Sequence, residues 1–195
     1  MLVPDHKNAD GLWVSTYYQG KVQCYTKSWS LWTGINKRCL IGGYTQSNQP
    51  SYIGCTNEFE NFQYFAEWCQ SQIGYCFKGY QLDKDVLIKG NKIYSPDTCV
   101  FIPQELNSLL NKRQNDRGCL PIGVTFEKDR GTFSAQINTG TARKRIRGFT
   151  DPISAYECYK QHKEARIKEM AQKYKNYIDQ RVFIALMQYT VEIND

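Results

Sequence analysis

Apolar residues recur at helical spacing between Thr26 and Leu40: Trp29, Leu31, Trp32, Ile35 and Cys39 fall on one side, with Lys27, Lys37 and Arg38 between them. The pattern predicts a helix with one buried face. A second stripe, Phe59, Phe62, Phe65, Ala66 and Cys69 with Trp68 beside it, predicts another helix capped by Thr56 or Asn57. Its acids Glu58 and Glu60 then fall in the first turn, where the helix dipole favours them. Aromatic residues at this spacing are core, and the two helices are expected to pack against the segment that follows; the alternative use of such stripes is base stacking. Residues 42–54, rich in Gly, Ser, Asn, Gln and Pro, read as loop. Residues 1–20 carry Pro4, Gly11 and Gly20 without a period and read as an arm or irregular lead-in.

Past Gly118 the period changes from 3.6 to 2. Three strands are predicted over 122–128, 131–139 and 142–149, joined by Asp129-Arg130-Gly131 and Thr139-Gly140-Thr141, both suited to hairpin turns. A long helix is predicted from about Asp151 to Tyr174, with Pro152 early and Ala155, Tyr156, Tyr159, Ala165, Ile167 and Met170 available for its packed face. Ile178, Val182, Phe183, Leu186 and Met187 predict a last helix before a short extended tail. The polar run Lys112 to Gly118 reads as a linker between domains 1–117 and 118–195. The expected class is α+β: a helical module with a hairpin, followed by a three-stranded antiparallel sheet on a long helix.

Charge changes this picture in one region. The chain has 195 residues and a net charge of +6, which fits a polyanionic partner without requiring one. From Lys128 to Arg147 the bases are Lys128, Arg130, Arg143, Lys144, Arg145 and Arg147, against a single acid, Asp129. The 8 cysteines include no Cys-x-x-Cys pair, and the histidines are His6 and His162 alone, so the usual spacing of a structural zinc site is missing. Reduced thiols, no signal peptide, no membrane-spanning apolar run and Lys-rich helices together predict a soluble cytoplasmic protein.

The most informative stretch runs from Gln81 to Pro103: Leu82-Asp83-Lys84-Asp85, then Lys89-Gly90-Asn91-Lys92, then Tyr94-Ser95-Pro96-Asp97-Thr98-Cys99, an apolar strand, and a helix that begins near Pro103 and carries Asn107. The series resembles phage-encoded HNH homing endonucleases, and the likeness extends back through Trp29 to Cys39 and Tyr52 to Trp68. The resemblance implies a ββα-metal nuclease in the bacterial host cell. It implies that Asp83 and Asn107 bind Mg2+ or Mn2+, which polarises a phosphodiester and stabilises the leaving oxygen, and Asp85 is expected to add a second carboxylate to the same cation. Lys84 stands where such enzymes carry a general-base His. Three roles are open. The metal could depress Lys84 enough for it to act as base, a metal-generated hydroxide could replace the base, or Asp85 could orient the water while Lys84 stabilises transition-state charge. The third is preferred, because alternation along a strand puts Asp83 and Asp85 on one face. Asn91 and Asp97 are nearby polar alternatives, of a kind more often structural.

The second domain is similar to the Apetala-type DNA-binding domain found fused to such nucleases, through Gly123-Val124, Phe133, Ala135, Ile137, Phe149, Ala155 and Tyr159; its usual Trp positions are not reproduced. Alternation directs Phe133, Ala135, Ile137 and Ile146 inward, and Thr132, Ser134, Gln136, Asn138, Arg143, Arg145 and Arg147 outward. With Arg130 of the intervening turn, these are the residues expected to contact double-stranded DNA. Arg suits guanine, and Gln or Asn suits adenine.

Overall fold

The computed structural model describes residues 2–111, 119–139 and 142–195. Helices and small sheets share the chain, so the class is α+β. By its contacts the chain divides into a first unit, Met1–Gln104 with Tyr177–Asp179, and a second, Glu105–Asn176 with Gln180–Asp195. The expected boundary at 117/118 and its linker lie outside the described residues.

The first unit opens with more order than its lack of period predicts. Strands β1 (Leu2–Val3), β2 (Thr16–Gln19) and β3 (Val22–Thr26) form a sheet in the order β1-β3-β2. Helix α1 (Lys27–Cys39) follows, and its N-cap Thr26 makes no side-chain capping bond. Asp5 does that work from outside the helix: its Oδ1 accepts from the Ser28 N–H at 3.0 Å and the Ser28 hydroxyl at 2.8 Å. The same carboxylate accepts from Gln70 and the Tyr75 hydroxyl, so the lead-in is stitched to residues far along the chain.

The loop expected over 42–54 contains α2 (Tyr44–Asn48) and a 3-10 turn, Pro50–Tyr52. The second predicted helix starts later than its stripe suggests. Thr56–Asn57 form strand β4, and α3 (Phe62–Ser71) is capped by Asn61, whose side chain accepts from the Tyr64 N–H at 3.0 Å. Glu58 and Glu60 therefore precede the first turn. The physical reason is competition: β4 pairs in parallel with β6 (Ile93–Tyr94), and this long-range ladder outweighs the local capping option.

The aromatic stripes are core. Trp29 meets Phe62 edge-on at 4.9 Å and Phe59 meets Phe65 likewise at 4.9 Å. Trp68 lies 6.0 Å from Phe101, on the hairpin formed by β5 (Tyr80–Asp83) and β7 (Val100–Pro103). Phe65 and Phe101 are fully buried. Each such side chain contributes about 1.5–3 kcal/mol by leaving water, which anchors the hairpin.

The second unit holds α4 (Gln104–Leu110, from Glu105 onward), β8 (Val124–Glu127), β9 (Thr132–Asn138), β10 (Arg143–Phe149), α5 (Pro152–Tyr174) and α6 (Gln180–Met187). The strands form an antiparallel sheet in the order β10-β9-β8, as the alternation predicts. Asp151 caps α5, accepting from the Ser154 N–H at 2.8 Å, with Pro152 in the first turn. Val124, Ala135, Tyr156 and Tyr159 form the core between sheet and helix. Gly123 makes that contact possible. Its φ is +75°, and a Cβ there would lie 2.2 Å from the Tyr159 ring. No helix among the described residues is long and apolar enough to cross a membrane.

Candidate functional site

The connection from β5 to β7 is held by polar locks. Asp83 ends β5 and turns its carboxylate back on the chain, where Oδ1 accepts from the N–H groups of Asp85 at 2.8 Å and Val86 at 2.7 Å. This is the local turn that Asp side chains form readily. Lys84 is buried, 6% exposed, and its ammonium donates to Asp85 Oδ1 and to the Asn91 carbonyl, both at 2.5 Å. Asn91 closes the loop. Its Nδ2 donates to the Lys84 carbonyl at 2.8 Å and the Ile93 carbonyl at 2.7 Å, while its Oδ1 accepts from the Ile93 N–H at 3.1 Å. Thr98 and Ser95 continue the lock: Thr98 Oγ1 donates to the Ile93 carbonyl at 2.7 Å. Asp97 is exposed.

This geometry corrects one step of the sequence reading. Strand β5 ends at Asp83, so alternation does not extend to Asp85 and cannot be what relates the two carboxylates. They are neighbours through the turn instead. The Lys84 ammonium is engaged by Asp85, which disfavours its use as a base. Burial pushes the Asp83 carboxyl above its ordinary value, the Asp85 charge adds to this, and the bonds from Val86 and Asp85 pull it back. A half-buried carboxyl beside a second, exposed carboxylate is a donor pair that fits a hard divalent cation. Asn107, the third expected ligand, lies half-buried on α4 in the second unit. Among the described residues no group of three or more His, Cys, Asp or Glu converges. The cysteines are free thiols; Cys24, Cys55, Cys69 and Cys99 are buried, Cys76 and Cys119 exposed.

The second candidate surface is the sheet face turned away from α5. Arg143, Arg145, Arg147, Gln136 and Asn138 are exposed there, and Arg130 is exposed in the turn before β9. The register sets Arg143 opposite Asn138, Arg145 opposite Gln136 and Arg147 opposite Ser134. Two expected contacts are not displayed. Ser134 is fully buried with its hydroxyl directed at the Thr125 carbonyl, 3.4 Å away, and Thr132 is half-buried with an unpartnered Oγ1. Alternation gives the face correctly, but these short side chains in the middle strand are covered by longer neighbours.

Sequence reasoning missed two residues of this face, Thr125 and Glu127. Thr125 Oγ1 accepts from Gln136 Nε2 at 2.6 Å. The Glu127 carboxylate accepts from Arg145 Nη1 at 3.3 Å and Arg147 Nε at 3.1 Å. Both alternate outward along β8 with Val124 and Phe126, so the same period-2 rule would have found them. Glu127 stands one residue before the acid-poor window. An open hollow of 410 Å³ lies here, lined by 125–130 with Arg145 and Arg147. Comparison with family models, curated proteins and solved structures gives no match.

Proposed function

We propose that this chain is a sequence-specific DNA endonuclease of the phage HNH homing type, acting in the cytoplasm of a bacterial host and targeted by an Apetala-like sheet. The observation that carries the reading is the hairpin β5–β7, running directly into α4, with Asp83 at the end of its first strand and Asn91 closing its loop. Asp83 and Asp85, both in the first unit, are the residues that would hold Mg2+ or Mn2+. When bound, the cation supplies electrophilic polarisation of the phosphodiester and charge neutralisation at the leaving oxygen. The exposed Asp85 carboxylate orients the attacking water, and Lys84 positions Asp85 by its 2.5 Å bond. The face carrying Arg143, Arg145 and Arg147 reads duplex DNA. Three strands about 4.8 Å apart form a ribbon roughly 10 Å across, narrow enough for the ~12 Å major groove.

A second reading is a DNA-binding protein without hydrolytic activity, such as a regulator, a decoy or an anti-defence factor. What favours it is the engagement of Lys84, at the general-base position, by Asp85 and Asn91. One experiment separates them: purified protein is incubated with phage and host DNA, with magnesium or manganese and with chelator. Fragments that appear with metal and vanish with chelator support the endonuclease. Retarded but intact DNA under both conditions supports the second reading, and neither effect overturns both.

A further inference from the structure

The basic sheet face carries an acid at its edge. Glu127 ends β8 with its side chain only 12% exposed, gripped by Arg145 and Arg147 from the far strand, β10. The arginines reach it because the middle strand is low at this point: Ser134 sits opposite both Arg147 and Thr125, and Thr132 sits opposite Glu127. Long side chains can therefore lie across β9 rather than stand off the sheet. The carboxylate is partly withdrawn from water, which weakens its acidity, yet hydrogen bonds from Ser134 and Arg147 and the two guanidinium charges hold it below the ordinary Glu value. It is ionised at neutral pH.

Each guanidinium carries five N–H donors, and the ion pair uses a fraction of them. Side chains of Arg145 and Arg147 remain 43% and 49% exposed, so both still present donors to a partner. Arg143 is exposed and has no ion pair among the described residues. The three arginines of β10 thus differ. Two are tied to Glu127 before any partner arrives, and the third is an exposed charge on a long stem.

We infer that Glu127 is a positioning residue for sequence discrimination: it presents Arg145 and Arg147 as a fixed pair to base edges, and leaves Arg143 to contact phosphate. The inference rests on the DNA-reading role proposed above for this sheet. Ordering long side chains at an interface opposes binding, and a carboxylate that orders them in advance removes that penalty in one geometry only. The competing role, simple charge neutralisation, would weaken binding to every duplex equally and leave discrimination untouched.

Two substitutions separate these roles. Glu127→Asp keeps the charge but shortens the reach; Glu127→Gln keeps the reach but removes the charge. A pool of randomised duplex oligonucleotides is first selected on the unaltered chain, and affinities for the enriched duplex and a scrambled duplex are then measured for each variant at one salt concentration. Thermal unfolding confirms that each variant is folded. Glu127→Asp is expected to lose about tenfold or more of the enriched-to-scrambled ratio, the scale of one bidentate base contact, with affinity for the scrambled duplex unchanged. Glu127→Gln is expected to bind both duplexes more tightly and to keep most of the ratio. A Glu127→Asp ratio equal to that of the unaltered chain overturns the inference alone. Failure of the unaltered chain to bind or enrich any duplex overturns the DNA-reading role, and the inference with it.

Discussion

The loop after β5 and the face of the β8–β10 sheet both concentrate charge, and they spend it in opposite ways. In the loop, Asp83 bonds its own backbone and Lys84 is buried against Asp85 and Asn91, so local charges are turned inward to hold a conformation. On the sheet, Arg143, Arg145 and Arg147 ride on a surface whose stability comes from apolar packing on the other side. The difference shows why residue type alone is a poor guide to display. Asp-Lys-Asp and Arg-Lys-Arg-Ile-Arg look equally solvent-seeking in sequence, yet in the first Lys84 is buried and Asp83 half-buried, whereas the arginines of the second stay exposed. Where apolar contacts carry the fold, charges are free for partners; where polar contacts carry it, each charge has a structural duty first.

Substitutions can break or sharpen this contrast. The largest effect is expected from Asp83→Asn. An amide oxygen can still accept from the Asp85 and Val86 N–H groups, so the turn is kept while the carboxylate charge is lost. Metal-dependent cleavage should disappear and DNA affinity should remain, measured by plasmid nicking and by anisotropy on one preparation. Equal cleavage by the variant and the unaltered chain would confine Asp83 to the turn.

Next comes the joint replacement of Arg143, Arg145 and Arg147 by alanine. Duplex affinity should fall about 100-fold or more at moderate salt, and the salt-dependence slope should flatten by about one unit, the share of a single lost phosphate contact. A flattening of three units would mean that all three arginines touch phosphate and none is a base reader. Unchanged affinity and slope would move DNA reading away from the sheet altogether.

Two smaller effects concern stability. Gly123→Ala should cost about 3 kcal/mol or more, because it combines a positive φ with a methyl group driven into the Tyr159 ring, on the side where apolar packing does the holding. Urea unfolding checks this, and a loss of only about 1–2 kcal/mol, the cost of the left-handed backbone for an L residue alone, would show that Tyr159 moves aside freely. Asn91→Ala should cost about 2 kcal/mol through the loss of three hydrogen bonds. Its sharper readout is amide hydrogen exchange at Lys84 to Ile93, which should accelerate while β8–β10 is unaffected. Unchanged exchange would remove Asn91 as the loop's fastening.

The parts of the fold legible in the sequence are those built from contacts between near neighbours. The three strands, the turn at Asp129-Arg130-Gly131 and α5 are legible because alternation, a Gly-containing turn and the Asp151-Pro152 start act within a few residues; the second predicted turn, at 139–141, lies largely outside the described residues. The hairpin β5–β7 was readable from its spaced motif. What escaped depends on distance along the chain. Asp5 caps α1 from 23 residues away, and Thr56 pairs with Ile93, so local pattern does not show the order of the lead-in or the start of α3. In the candidate site the residue types were visible, but not their commitments. Nothing local shows that the Lys84 side chain would fold inward, or that the Ser134 hydroxyl would be roofed over while Gln136, two residues on, stays in water.

The thiols carry a practical consequence. Attack on a disulfide or a maleimide requires thiolate, and burial pushes Cys99 up to about 12 and Cys69 higher still, so these core sulfurs stay unreactive while the protein is folded. The two exposed thiols are divided evenly: Cys76 belongs to the first unit and Cys119 to the second. The chain therefore comes with one fully displayed thiol on each half, beside the half-buried Cys39 and Cys158. A pair of spin labels or dyes attached there, without engineering any new cysteine, turns the separation of the two units into a directly measurable distance, with and without duplex DNA.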